Sequence, residues 1–386
     1  MSPKDNSLAD LYDVAVVGAG PAGATAAIYL AQQNRKVVLI DRQTSPREAA
    51  SVGWLNVRAA PVLAKLGVGV RPLLDQAFRD VTFYSEDFSR TARPNFADAP
   101  GYLIDRAQFD DALVKTAADN GVNVVEGNAV VDVKPMETEV VARLSDERTV
   151  SSRLLILATG RGSAVQDRLG FTQPARHGTI WTAQVDASLE PGSDEAAPAK
   201  GAGPDPRVAV VLGLDRAGSF ALSCVSRRGL AVVINWLGER EETLPVLAKM
   251  CQALFRHGVV PVDLSAAAPE ASLAASPASA ALDMDTHVGK HTLLIGDAGG
   301  FVCAASNEGI YPAMWSAQIA SDVIDAALDS DQSQDELMTF ESKWRTTMAD
   351  YLRSPNTDIQ FLLPLIFSNQ PMADRMGGAF FSGENI

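Results

Sequence analysis

Short apolar runs separated by glycine-rich turns set the pattern of the chain, and the first of them is the sharpest. Val14 to Val17 form an apolar, β-branched run, and from Ala22 onward small residues and helix formers take over. That change predicts a strand passing through Gly18-Ala19-Gly20-Pro21-Ala22-Gly23 into a helix. Lys36 to Ile40 read as a second strand ending at Asp41, which completes a βαβ unit. Val57 to Gly67 has the spacing of a helix with a glycine stop, preceded by a loop at Ser51 to Asn56. Phe78 to Ser85 alternate as an excursion strand, and Tyr102 to Gly121 return to a helix opening Asp105-Arg106-Ala107-Gln108-Phe109. Val122 to Val125, Ala129 to Val133, Val140 to Leu144 and Leu154 to Leu157 are strand-like, the last running into Ala158-Thr159-Gly160.

Two composition shifts follow. Ser188 to Pro206 and Ala266 to Ala281 are rich in Ala, Pro, Ser, Gly and Asp, which predicts surface loops. Between them Val208 to Leu214, Ser219 to Val225 and Leu230 to Leu237 make a βββ pattern, a sheet of its own inserted into the frame. The frame resumes at Thr292 to Ile295, a strand ending in Gly296-Asp297-Ala298-Gly299-Gly300. Asn307-Glu308-Gly309-Ile310 then leads into a helix running to about Leu328. A helical segment, Ser333 to Leu352, and an apolar tail, Phe361 to Phe367, close the chain, and no internal repeat is found.

The glycine turn is the first candidate for chemistry. Gly18 permits the tight turn, Gly20 lets backbone approach a pyrophosphate, and Gly23 allows the helix to pack close to the strand. Asp41, about 20 residues beyond the turn, is placed to accept hydrogen bonds from ribose hydroxyls, although an Asp after a strand is also a common turn residue. Trp54 is either a wall for an aromatic ligand or a buried anchor, the commoner fate. His177, His257, His287 and His291 are scattered without metal spacing, so no metal is assigned.

At 386 residues the chain exceeds a usual single core, so two lobes, or one nucleotide domain with a large insertion, are expected. Its 33 basic and 47 acidic residues leave a net charge of −14, which disfavours nucleic acid and anionic lipid as partners. Cys224, Cys251 and Cys303 are odd in number and widely separated, which points away from a disulfide framework and towards a reducing compartment. No run approaches the roughly 18 apolar residues of a spanning helix, and the polar N-terminus lacks a leader's apolar core. A soluble, cytoplasmic protein is the expectation, with peripheral membrane contact left open.

Gly18 to Gly23, Ala158-Thr159-Gly160 and Gly296-Asp297 stand in the order that resembles FAD-dependent oxidoreductases of the p-hydroxybenzoate hydroxylase fold. Within that group Gly296 to Val302 and Glu308-Gly309-Ile310-Tyr311 resemble the geranylgeranyl reductase family, with flavin-dependent halogenases as cousins. The resemblance implies an α/β fold: a Rossmann-like FAD-binding domain of the glutathione reductase type over 11–77, 100–165 and 283–330. It further implies a β-sheet substrate domain over 78–99 and 166–282 and a helical segment over 331–386. By resemblance Asp297 meets the ribityl chain, and the backbone at Gly309 and Ile310 meets the pyrimidine edge of the flavin. Arg106 faces the diphosphate, and Val130 lies near adenine. Ala22, Arg42, Thr159 and Gly160 complete the implied FAD contacts. A helix beginning near Gly309 would aim its dipole at the negative charge of a reduced flavin.

Departures from the pattern bear on the reaction. Hydroxylases of this fold usually carry Asp-Gly where this chain has Thr159-Gly160, with Arg161-Gly162 keeping the pattern, and that acid is tied to handling of both flavin and nicotinamide. Halogenases present a lysine from the flavin domain, yet no lysine stands between Leu66 and Val114, and their Trp-x-Trp-x-Ile-Pro segment is absent. The reductase's cysteine-glycine loop has become Ser51-Val52-Gly53-Trp54, and Ala304 and Asn307 replace its Pro and Gly. The implied function is FAD-dependent reduction of a carbon–carbon double bond in a small apolar, lipid- or isoprenoid-like substrate. A monooxygenase of the same fold is the alternative, followed by a halogenase or a nucleotide-retaining binding protein. The electron donor, NAD(P)H or a carrier, stays open, and Trp54, Cys303 and Asn307 are the pocket candidates.

Overall fold

The computed structural model describes residues 11–384 apart from 48–50, 52, 75, 161–162, 172–178, 190–204, 215–218, 227–228, 278–280 and 354–358. Val52, Arg161, Gly162, His177 and most of the Ser188 to Pro206 stretch therefore lie outside the described residues.

Strand Tyr12–Val17 is buried along nearly its whole length because it sits inside a parallel sheet. Val37–Ile40 pairs with it on one side and Thr149–Leu157 on the other, with Asn123–Val125 and Thr292–Leu294 next outward, all parallel. A strand covered on both faces needs apolar residues at every position, which explains the continuous Val-Ala-Val-Val run. Alternate residues serve different faces. Val14 and Val16 enter a core with helices Pro21–Gln32 and Ile310–Leu328, whereas Ala15 and Val17 enter one with the antiparallel strands Val130–Pro135 and Val140–Leu144.

The second sheet has seven strands. Their order is Ser272–Pro277, Thr179–Ala187, Gly229–Leu237, Phe220–Ser226, Arg207–Leu212, Asp80–Ser85 and Thr91–Ala92. The same period of two divides its cores. Ala221 and Val225 pack under helix Arg240–Arg256, while Phe220, Leu222 and Cys224 meet helices Ile359–Ile366 and Gln370–Ser382. Within the apolar tail Ile366 is buried against that core, Leu362, Leu363 and Phe367 pack on it in part, and Phe361 and Leu365 are exposed.

Two expectations are corrected. Ser51 to Asn56 is not all loop, since Trp54–Asn56 is a strand paired antiparallel with Gly101–Leu103. Ala266 to Ala281 contains an edge strand, Ser272–Pro277, in register with Thr179–Ala187. Ala and Ser have little intrinsic strand preference, and here a long neighbouring edge supplies the pairing. Pro277 closes that strand on an outer edge, where a missing N–H is tolerated. Strand Thr179–Ala187 and helix Arg240–Arg256 are additions to the sequence pattern.

Candidate functional site

Three glycines of the first turn are required for three different reasons. Gly18 has φ +101°, and a Cβ there would fall 2.2 Å from the Ala158 carbonyl oxygen, so the turn is closed against the end of the neighbouring strand. A Cβ on Gly23 would lie 1.8 Å from the Gly18 carbonyl oxygen, which is the close packing of helix on turn. Around Gly20 nothing lies within 4 Å of a Cβ position, because Gly20 faces a cavity. Gly20 is also the N-cap of helix Pro21–Gln32 and offers no side-chain cap. The first N–H groups of that helix are left for a ligand, at the positive end of its dipole.

The cavity measures about 660 Å³. Gly18, Gly20, Ala22, Asp41, Arg42, Arg106, Val130, Thr159, Gly160, Asp297, Gly309 and Ile310 all line it, and Gly23 supports the turn from below. Asn307 is on its wall, whereas Trp54 and Cys303 are not. Trp54 is fully buried with its ring edge-on to Phe78 and Phe381, so it anchors a core. Cys303 is buried in the main core, and burial raises its thiol pKa.

Asp41 ties the turn to the loop beyond it. One carboxylate oxygen accepts the Ala19 N–H at 2.6 Å and lies 2.9 Å from Arg47 Nη1; the other accepts the Gln43 N–H at 2.8 Å. Arg47, buried on the cavity wall, also donates from Nη2 to the Ala19 carbonyl at 2.5 Å. Sequence reasoning passed over Arg47, because a lone arginine in a loop carries no periodic signal. Asp105 caps helix Arg106–Asp119 by accepting the Gln108 N–H at 3.1 Å, while Arg106 Nε and Nη2 donate to buried Asp110 at 3.2 and 3.0 Å.

The turn Gly296–Gly299 follows strand Thr292–Leu294 and brings Asp297 against the start of helix Ile310–Leu328. A Cβ on Gly309 would sit 2.8 Å from Asp297 Oδ1, so the carboxylate packs directly against the backbone at the helix start. Glu308 accepts the Tyr311 N–H at 2.7 Å and caps the helix, and burial pushes its carboxyl up to about 7. Among the four histidines, His287 is fully buried and held by Gly299 O and Glu341, His257 stacks on Phe88, and His291 meets Glu137 O. Those are structural contacts.

Such a turn, cavity and acid define a dinucleotide-binding α/β protein that carries a second sheet. The chain belongs to the FAD binding domain family, whose model matches residues 11–351. It is 35% identical over 167 residues to the menaquinone reductase of Mycolicibacterium smegmatis, covering 42% of this chain and 40% of that protein. The matched stretch thus spans two-fifths of that relative's length. Similarity to the digeranylgeranylglycerophospholipid reductase of Methanocaldococcus jannaschii is lower, 23% over 355 residues, but covers 90% of this chain and 85% of that one. The structure of a geranylgeranyl bacteriochlorophyll reductase-like protein from Thermoplasma acidophilum superposes with a TM-score of 0.72 at 19% identity, over 89% of this chain and 85% of that one. That likeness shows the p-hydroxybenzoate hydroxylase type of fold.

The cavity fits FAD on its own chemistry. Thr159 Oγ1, in a cavity-lining residue, is a buried atom without a hydrogen-bond partner, and a polyhydroxyl, diphosphate-bearing ligand supplies one. Asp297→Ala is expected to weaken FAD binding by about 1–3 kcal/mol, the cost of leaving a ribityl hydroxyl unsatisfied, with the melting temperature of the FAD-free protein unchanged. Titration of that protein with FAD measures it, and an unaltered dissociation constant would reduce Gly296-Asp297 to a strand-ending turn.

Proposed function

We propose that the protein is an FAD-dependent oxidoreductase that reduces a carbon–carbon double bond of an apolar, lipid- or isoprenoid-like substrate held between the second sheet and the flavin. The observation that carries this is the composite wall of the cavity: Thr182, Ala274 and Ala275 of the second sheet face the same space as Asp297 and Ile310. Small side chains at that sheet leave room for a flat ligand. A further cavity of about 670 Å³ shares Ser51 and Arg106 with the first and is walled partly by Leu103, Val185 and Leu230. Two relatives named as reductases, one of menaquinone and one of a digeranylgeranyl lipid, support reduction, while relatives named as a hydroxylase and a monooxygenase keep the alternative in view.

FAD, when bound, supplies hydride chemistry, and the chain's part is placement and exclusion of water. Gly20 and the first turn of its helix hold the diphosphate, Asp41 and Val130 serve the adenosine half, and Asp297, Gly309 and Ile310 serve the flavin half. Among the described residues no helix is long and apolar enough to cross a membrane. Phe361 and Leu365, 77% and 49% exposed on helix Ile359–Ile366, supply an apolar spot for peripheral contact with a lipid surface. A cytoplasmic location fits three buried cysteines that form no disulfide.

Thr159 stands where hydroxylases keep the acid tied to nicotinamide, so NADPH is expected to bleach the flavin slowly beside dithionite or a small electron carrier. Stopped-flow absorbance with each donor, with and without isoprenoid lipids, followed by mass analysis of the product, tests this. A product heavier by two hydrogens supports the reductase. Fast NADPH reduction and a product heavier by one oxygen would establish the monooxygenase instead.

A further inference from the structure

Glu308 stands between two cavity-lining residues, Asn307 and Gly309, yet its side chain points away from solvent altogether. One carboxylate oxygen accepts the Tyr311 N–H, and the other accepts the Tyr351 hydroxyl at 3.2 Å. Tyr351 belongs to helix Ser333–Leu352, and its oxygen accepts from Asn56 Nδ2 at 3.2 Å; the same amide donates to the Phe381 carbonyl at 2.9 Å. A hydrogen-bonded chain thus runs from the helix end at the cavity wall to the C-terminal helix. The groups facing Glu308 across these elements are Asp297, an acid that opposes its charge, and Cys303, Tyr311 and Tyr351, all with pKa values raised by burial. Arg58 acts on the neighbouring Tyr311, and among the described residues the largest influences on Glu308 are burial, hydrogen bonds and the charge of Asp297.

We propose that Glu308 is the proton acceptor coupled to reduction at this site, ionised while the flavin is oxidised and protonated once it is reduced. Two electrons from the reductant and one proton go to the cofactor. The negative charge this leaves is matched by one proton taken from solvent onto the Glu308 carboxylate. The site as a whole gains two electrons and two protons with no change in net charge. A buried carboxylate with Asp297 among the charges that act on it lowers its repulsion with new negative charge by taking up a proton. Burial has already lifted this carboxyl to about 7, so a modest added repulsion moves it through neutral pH. The inference rests on the FAD assignment and is independent of the substrate.

The test is spectroelectrochemistry of the FAD-loaded protein between about pH 5 and about pH 9, with redox-difference infrared spectra, for wild type, Glu308→Gln and Tyr351→Phe. Glutamine keeps an acceptor for Tyr311 N–H and a polar contact for Tyr351 but carries no charge. Its midpoint potential is expected to exceed wild type by about 30 mV near pH 9, a tenfold shift in the oxidised-to-reduced ratio, and to converge with wild type near pH 5. The flavin's own proton uptake is common to both proteins and cancels in the difference. Wild type should gain a protonated-carboxyl band on reduction that Glu308→Gln lacks. Tyr351→Phe removes a donor to the carboxylate, so the point of convergence should move to higher pH. A difference that stays constant with pH, or a reduction spectrum of wild type without the carboxyl band, overturns the coupling. Should Glu308→Gln fail to fold, the wild-type band alone decides. Protein that takes up no FAD overturns the cofactor assignment and the coupling together, whereas a yellow protein with a constant difference overturns the coupling alone.

Discussion

Gly20→Val is expected to abolish FAD binding while leaving the fold intact. A Cβ there meets no protein atom within 4 Å, but a valine side chain extends into the cradle at the start of helix Pro21–Gln32 where a diphosphate must approach backbone. A loss of at least about 100-fold in affinity is expected, or about 3 kcal/mol. The control is supplied by its neighbours. Valine at Gly18 or Gly23 would be driven into the Ala158 or Gly18 carbonyl oxygen, at 2.2 and 1.8 Å from the Cβ, and should cost the fold itself. Flavin absorbance after dialysis, with circular dichroism melting of each variant, separates the two outcomes. Full flavin occupancy in a folded Gly20→Val protein would show that the cofactor lies elsewhere.

Trp54→Ala is expected to lower stability by about 3–5 kcal/mol, the range for removing a large buried aromatic, and to leave FAD affinity per folded molecule unchanged. Its ring lies 6.4 Å from that of Phe78 and 5.0 Å from that of Phe381, so alanine opens a cavity where the small sheet meets helix Gln370–Ser382. Trp54→Phe should cost far less, because it keeps apolar volume and removes an indole N–H that has no partner. Denaturant unfolding of the three proteins, followed by FAD titration below the transition, measures both quantities. A stable Trp54→Ala protein with weakened ligand binding would return this residue to the pocket wall.

One pair of C-terminal helices illustrates what was legible. Ile310–Leu328 and Ser333–Leu352 end at Leu328 and Leu352, where the apolar spacing ends. Trp54–Asn56 carried no such mark. Three residues cannot display a period, and their partner Gly101–Leu103 lies far off in sequence. Ser272–Pro277 shows the opposite failure, a loop-like composition held in a strand by the edge of Thr179–Ala187.

The sequence by itself determined the βαβ unit and the glycine turn with Asp41, because local spacing and turn chemistry demand those residues whatever surrounds them, whereas the places of Asp297 and Gly309 were implied by the family resemblance. Tertiary structure alone decided that Trp54 and Cys303 are core while Arg47 is wall, and that Glu308 meets Tyr351 and Asn56. Burial and side-chain hydrogen bonding between residues hundreds of positions apart depend on how separately formed elements dock. No local pattern along the chain encodes that docking.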